Sequence, residues 1–358
     1  MTAGREKLIV ILGPTAVGKT ALSIELAKRL RSEILSGDSM LVYRGFDIGS
    51  AKPTPAERQG VVHHLVDILE PSAAFNVTEF VEQARPIIHQ INAEGRIPIL
   101  AGGTGLYVKA LLEGYQFNET TADESYRRQL EELGRSRGRD YVHGLLAQID
   151  PAAAARLHVN DFRRVIRALE VAHLGGEQIS QTKQGNDAGS LCYDVFVIGL
   201  NRERQSLYER IDQRVLQMFA NGLADEVRQL LAQGVTRDMQ AMKGIGYKET
   251  AGWLAGEMSR EEAVEQIQKS TRHFAKRQLT WFRRQNDAVW LYLDEEDVTE
   301  RACTLVAPQA SAAAWAASRA FSMSSAVERG NSEMALPLTG EVLVKYWPLT
   351  GATNSPPM

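Results

Sequence analysis

Lys7-Leu8-Ile9-Val10-Ile11-Leu12-Gly13-Pro14-Thr15-Ala16-Val17-Gly18-Lys19-Thr20 decides the fold of this 358-residue chain. The apolar run Leu8–Leu12 has the length of a buried strand, and Gly13, Gly18, Lys19 and Thr20 satisfy the G-x-x-x-x-G-K-[ST] pattern. Leu22, Leu26 and Leu30 then fall on one face of a helix. A strand, a glycine turn and a helix in this order build a phosphate cradle. The backbone curls so that successive N–H groups point inward, and the helix N-terminus adds its positive end. The residues from Gly13 to Thr20 are thus the expected polyphosphate grip, with Lys19 as a mobile charge and Thr20 as a hydroxyl ligand for Mg²⁺. The loop says that a polyphosphate binds, not what becomes of it.

Working outward, the first ~115 residues continue as strand–turn–helix units. Glu33–Ser36 reads as a second strand ending at Gly37-Asp38-Ser39, and Ile97–Ala101 as a third ending at Gly102-Gly103-Thr104-Gly105, with a helix over Leu106–Leu112. Alternating elements of this kind predict an α/β fold: a parallel sheet of the P-loop NTPase type, flanked by helices. In such sheets the turns leaving the strands gather at one edge, so the loop, Asp38 and Thr104 should face one crevice. From Asn118 to Gly189 strand signals vanish and charge rises, which predicts a helical insertion over 118–189. A strand at Tyr193–Leu200, helices from Arg204 to Arg284 and a last strand at Val289–Leu293 return the chain to the sheet. The expected core is therefore 1–117 with 190–300. The remainder, 301–358, is Ala/Ser-rich and then Gly/Pro/Thr-rich, and reads as a low-complexity, disordered extension with a short helix around Trp315.

Composition narrows the setting. Two widely spaced cysteines, Cys192 and Cys303, suit a reducing compartment and form no metal-ligand pattern. The first strand begins within a few residues of Met1, and no apolar run is long enough to span a membrane. The expectation is a cytoplasmic protein with no membrane partner. A net charge of −3 argues against diffuse nucleic-acid adhesion, but its distribution is uneven. Between Gln266 and Asn286 there are six basic residues and no acidic one, and Arg156, Arg163, Arg164 and Arg167 surround a single Asp161. On a helix, Lys269, Arg272, Lys276, Thr280 and Arg283 share roughly one quarter of the circumference, opposite Ile267, Phe274 and Trp281. The pattern predicts one buried face and one uninterrupted cationic stripe suited to a phosphate backbone.

Two further groups bear on chemistry. Asp38 leaves a strand at the crevice edge, where it is an N-cap, a Mg²⁺-associated carboxylate or a general base. Arg210 and Arg214 lie four apart and share a helix face, either as solvated partners of Glu209 and Asp212 or as a reach towards the polyphosphate.

These residues resemble the bacterial tRNA dimethylallyltransferases. The matching segments are Gly13–Thr20, Asp38–Tyr43, Gly45–Pro53, His63–Asp67, Pro98–Tyr107, Arg167–Glu170, Gly244–Lys248 and Ala275–Arg283, in order over roughly residues 5 to 295. The resemblance implies transfer of a dimethylallyl group from dimethylallyl pyrophosphate to N6 of the adenine next to the anticodon, in tRNAs reading codons that begin with U. It implies that Asp38 is the base, and that Thr15, Lys19, Thr20 and Arg214 hold the pyrophosphate. It places tRNA contacts at Asp38, Ser39, Met40 and Leu41, at Thr104 and Arg127, and at Arg163, Arg164 and Arg167. Further contacts fall at Lys243, Gly244, Lys248, Lys276, Arg277, Gln278 and Arg283. A monomer binding the tRNA anticodon stem-loop is the family expectation. Leu41 stands where many members have Gln, Ser50 where Thr is usual, and the tail matches nothing in the family pattern. The motif by itself also fits a P-loop kinase of a nucleotide or small metabolite; an RNA-binding nucleotide switch and a transferase acting on free AMP are further readings.

Overall fold

Six strands, all parallel, form one sheet in a computed structural model that describes residues 5–115, 123–175, 191–284, 288–295 and 297–306. They are β1 (Lys7–Leu12), β2 (Ile34–Ser36), β3 (His63–His64), β4 (Ile99–Gly102), β5 (Asp194–Asn201) and β6 (Ala288–Tyr292). Their spatial order is β3-β2-β4-β1-β5-β6. β1 is central: Ile9 lies opposite Ile99 on one side and Phe196 on the other. Residues Leu8 to Ile11 are fully buried, which is why the segment reads as a continuous apolar run rather than an alternating one.

The described parts of Met1–Val108 and Tyr193–Met358 form one compact unit, and those of Lys109–Cys192 a second. The first carries the sheet with α1 (Lys19–Leu30), α2 (Pro55–Arg58), α3 (Val77–Ala93) and the start of α4 (Gly105–Glu113). The second holds α5 (Glu124–Ser136), α6 (Arg139–Ile149), α7 (Pro151–Arg156) and α8 (Phe162–His173) around Leu130, Val142, Leu146, Val165 and Leu169. The first unit resumes with α9 (Arg204–Ala220), α10 (Leu223–Ala232), a 3₁₀ turn at Ala241–Lys243, α11 (Tyr247–Leu254), α12 (Arg260–Phe282) and α13 (Val298–Val306). Its main core joins Ile9, Ile11, Val17 and Leu26 to Ile198, Ile211, Ala275 and Ala302. No helix among the described residues is long and apolar enough to cross a membrane.

Three features depart from the sequence reading. β3 is only two residues long and pairs with Ile34 and Leu35 of β2. The 17-residue α3 starts at Asn76, whose side chain accepts from Thr78 and Glu79 N–H while Glu79 reaches back to the Asn76 N–H. Residues 301–306, expected to belong to the extension, are helical instead: Ala302, Cys303 and Val306 are buried on α13, which packs against α1. The remaining stretch, including the helix expected around Trp315, lies outside the described residues.

Candidate functional site

Parallel strands end at a common edge, and the loops there are tied to one another by main-chain geometry. Gly37 N–H donates to Ala101 O (2.9 Å) and Thr104 N–H to Gly37 O (3.2 Å). A Cβ at Gly102 would sit 2.5 Å from Gly37 O, so the turns after β2 and β4 approach too closely for a side chain. Asp38 is thereby fixed beside Thr104. One carboxylate oxygen, Oδ1, accepts the Met40 N–H at 2.8 Å; the other has no hydrogen bond among the described residues.

The loop after β1 is braced on both sides. Lys19 Nζ donates to Gly13 O (2.9 Å) and Pro14 O (2.8 Å). Ala16 has φ +63°, a left-handed conformation unusual for a residue with a Cβ, and Arg210 Nε donates to its carbonyl at 3.1 Å. Arg202 Nε reaches Val17 O at 3.3 Å and its guanidinium also binds Asp294 (2.6 Å). Desolvation pulls the Lys19 ammonium down to about 8; Asp38 opposes the shift and Arg214 adds to it. Lys19, Asp38 and Arg214 therefore share one electrostatic neighbourhood.

This arrangement separates the two arginines of α9. Arg210 is committed to the loop backbone, whereas Arg214 has no hydrogen bond or ion pair among the described residues. Arg214 is exposed, yet desolvation and the nearby Arg210 lower its proton affinity, and Glu57 works the other way. It remains cationic at any ordinary pH. Thr20 is exposed on the first turn of α1. Its hydroxyl is a hard oxygen donor suited to Mg²⁺, and no group of three or more His, Cys, Asp or Glu among the described residues could hold a metal ion.

The segment from Asp38 to Glu70 is held by groups that the sequence reading left without a role. Lys52 is buried, with its ammonium on Tyr43 O (2.7 Å), Asp47 Oδ1 (2.7 Å) and Asp67 Oδ1 (2.5 Å). Glu226 accepts the N–H groups of Asp47 (3.1 Å), Ile48 (2.7 Å) and Gly49 (3.2 Å) and the Tyr247 hydroxyl (2.8 Å). A lysine and two aspartates shared between the matched segments Gly45–Pro53 and His63–Asp67 were a readable signal; Glu226, far away in sequence, was not. Ser50 donates from Oγ to Phe46 O at 2.6 Å, so its hydroxyl serves the turn itself.

The residues expected to meet RNA fall into two groups. Lys243, Lys248, Lys276, Arg277 and Arg283 are exposed, as are Arg163 and Arg164 in the second unit. The outward face of α12 runs through Lys269, Lys276, Thr280 and Arg283, but the stripe is interrupted because Arg272 forms an ion pair with Asp212 of α9. The buried face is Ala263, Ile267, Ala275, Gln278 and Phe282, with Phe274 and Trp281 half-buried on its flank. Met40 packs against Gly244, with Met40 Cε 2.7 Å from where a Cβ would be, which joins two of the expected contact segments.

Within the second unit, Arg127 and Arg167 are not free. Arg127 Nε lies 2.8 Å and Arg167 Nη1 2.6 Å from the carboxylate of Glu170, which is fully buried and also accepts the Asp123 N–H at 2.7 Å. Burial alone would raise the Glu170 pKa, but its hydrogen bonds with the two arginines hold it below the ordinary glutamate value. Glu170 thus fixes both guanidinium groups.

Residues 41–285 match the family model described as IPP transferase, and residues 6–69 match one described as isopentenyl transferase. The chain is similar to the tRNA dimethylallyltransferase of Geobacillus thermodenitrificans, at 49% identity over 82% of this chain and 92% of the relative. The enzyme of that name from Geobacillus kaustophilus is 50% identical over 80% of this chain and 90% of its own length. Among solved structures, the full-length tRNA isopentenylpyrophosphate transferase of Bacillus halodurans matches at 44% identity, with a TM-score of 0.65 over 89% of this chain and 100% of that one. A eukaryotic dimethylallyltransferase acting on tRNA matches at 29% identity, with a TM-score of 0.70 over 85% and 79%.

Proposed function

The chain belongs to the IPP transferase family, and from that premise we propose that it transfers a dimethylallyl group from dimethylallyl pyrophosphate to N6 of the adenine beside the anticodon of tRNA. The observation that carries this reading is the meeting at one sheet edge of the Lys19 loop with the turn that holds Asp38, which is tied by Gly37 N–H to Ala101 O and by Thr104 N–H to Gly37 O; Asp38 and Arg214 both act on the Lys19 charge there. In the reaction the allylic C–O bond breaks with its electron pair going to the departing pyrophosphate, a C–N bond forms to N6, and one N6 proton must leave. The Gly13–Thr20 loop, Lys19 and Arg214 stabilise the charge that grows on the leaving group. Thr20 would hold a Mg²⁺ ion, which supplies additional positive charge there. The loop thus grips a leaving group instead of presenting a phosphoryl group for transfer.

The adenine amine is a weak nucleophile because its lone pair is conjugated with the ring. The unpartnered Asp38 oxygen is available to accept a hydrogen bond from it and take the proton as the C–N bond forms. Thr104, held against Gly37, borders the same position. The base must leave its stack to reach this edge, which calls for a grip on the surrounding RNA. Lys276, Arg277 and Arg283, with Lys243 and Lys248, supply one such grip in the first unit, and Arg163, Arg164 and the Glu170-held arginines another in the second. A monomer acting in the cytoplasm is part of the same reading.

Incubation with dimethylallyl pyrophosphate, Mg²⁺ and unmodified tRNA, followed by mass spectrometry of the digested nucleosides, tests it. The expected result is one isopentenyl group on an adenosine. Modification of free AMP alone, or phosphoryl transfer from ATP without any prenylation, would overturn it.

A further inference from the structure

We infer that Gln278 is a positioning residue for the phosphate loop and not an RNA contact. Although its neighbours Lys276 and Arg277 on α12 are exposed, Gln278 is buried, at 5% exposure. Both ends of its amide are used inside the protein. Oε1 accepts the Thr15 N–H at 2.8 Å, and Nε2 donates to Gly103 O at 2.8 Å. A Cβ at Gly103 would lie 2.3 Å from Nε2, so this glycine is what lets the amide reach the turn. The same turn carries Thr104 and is locked to Gly37 beside Asp38. One side chain therefore sets the spacing between the loop that grips the pyrophosphate and the turn that borders the base.

The amide is matched to this task in a way that a carboxylate or an alkyl group is not. Thr15 N–H needs an acceptor and Gly103 O needs a donor, and only a primary amide of this length supplies both in one plane. Removing it leaves the half-buried Thr15 N–H and the buried Gly103 C=O unpaired and lets the loop shift. A displacement on the order of 1 Å in a reacting group lowers rates by up to about 10²-fold. Glutamate would keep the acceptor but set a charged oxygen against the Gly103 carbonyl.

The inference rests on the proposed transferase reading for its kinetic arm and is independent of it for its binding arm. Gln278→Leu and Gln278→Glu are compared with the wild-type protein for affinity towards inorganic pyrophosphate, for tRNA affinity, and for kcat and KM of transfer. The expected result is pyrophosphate affinity reduced about tenfold or more, kcat reduced about 10- to 100-fold, and tRNA affinity within about twofold of wild type. Gln278→Glu, which buries a charge against the Gly103 carbonyl, should melt lower than Gln278→Leu, yet both should lose pyrophosphate affinity and kcat while keeping tRNA affinity, a split that a merely structural role would not produce. Loss of tRNA affinity with unchanged pyrophosphate binding would make Gln278 an RNA contact and overturn the inference. So would wild-type kinetics and pyrophosphate affinity in both variants. A wild-type protein that transfers no prenyl group, yet whose pyrophosphate affinity falls in both Gln278 variants, would overturn the transferase reading alone.

Discussion

The crevice edge and the outer face of α12 lie in the same unit and are built on opposite principles. At the edge, several polar side chains are tied to the main chain: Lys19 to Gly13 and Pro14, Arg210 to Ala16, Asp38 Oδ1 to Met40, Gln278 to Thr15 and Gly103, while Arg214 and the second Asp38 oxygen have no hydrogen bond among the described residues. On the outer face of α12, Lys269, Lys276 and Arg283 have no side-chain partner among the described residues. The first arrangement suits chemistry, where a charge must meet another that appears only in the transition state and so must be held in advance. The second suits a mobile polyanion, which is attracted by exposed, salt-screened charge that need not be fixed.

The contrast breaks most visibly at Asp38. Asp38→Ala should lower kcat by a factor of about 10²–10⁴ while tRNA affinity stays close to wild type, as read by transfer kinetics beside a binding titration. The two arginines of α9 sharpen the contrast within a single helix. Arg214→Ala should reduce kcat by about 10²-fold with little change in melting temperature, because on the proposed reading it removes a charge that stabilises the leaving group, and Arg214 has no hydrogen bond or ion pair among the described residues. Arg210→Ala should instead lower thermal stability and raise the KM for the pyrophosphate substrate, because Ala16 O loses its donor while the strained loop keeps its φ of +63°. Equal effects on kcat and stability in both variants would erase the distinction.

These assignments also mark what could be read without coordinates. The β1 loop, Asp38 and Thr104 were legible because glycine turns after apolar runs leave a local signature, and parallel topology gathers them. Arg210 and Arg214 were legible as a pair but not as different residues, because their roles depend on which one meets the Ala16 carbonyl across the fold. The cationic stripe was legible as periodicity, yet Asp212, some sixty residues away, interrupts it at Arg272. Gln278 entered the expected RNA contacts through the family resemblance, although at 100° per residue it shares the buried face with Ile267 and Ala275. β3 left no trace because two residues have no period, whereas the Asn76–Glu79 capping box of α3 was a readable signal that went unread.

Smaller effects test the binding side. Lys276→Glu with Arg283→Glu should weaken tRNA binding and reduce the magnitude of its log–log salt slope by about 1.5–2. An unchanged slope would make the stripe an ordinary solvated surface. The smallest effect is a pH dependence at Lys19. Because its folded pKa is lowered to about 8, the lysine loses its proton above that pH in the free protein while the unfolded chain still holds it up to 10.5. Between those values this group makes stability rise with pH. Pyrophosphate needs the charged form, so its affinity should fall as pH rises through about 8, by at most about tenfold per pH unit. Lys19→Met should bind more weakly and flatten that fall; an equally steep fall in the variant would assign it to another group.

The division between held and free charge is tested most directly by single-turnover transfer at saturating tRNA and dimethylallyl pyrophosphate, comparing Asp38→Ala with the Lys276→Glu, Arg283→Glu double variant. The predicted result is a rate lower by about 10²-fold or more in Asp38→Ala and within about threefold of wild type in the double variant. A double variant as slow as Asp38→Ala under saturation, or an Asp38→Ala protein as fast as wild type, would contradict it.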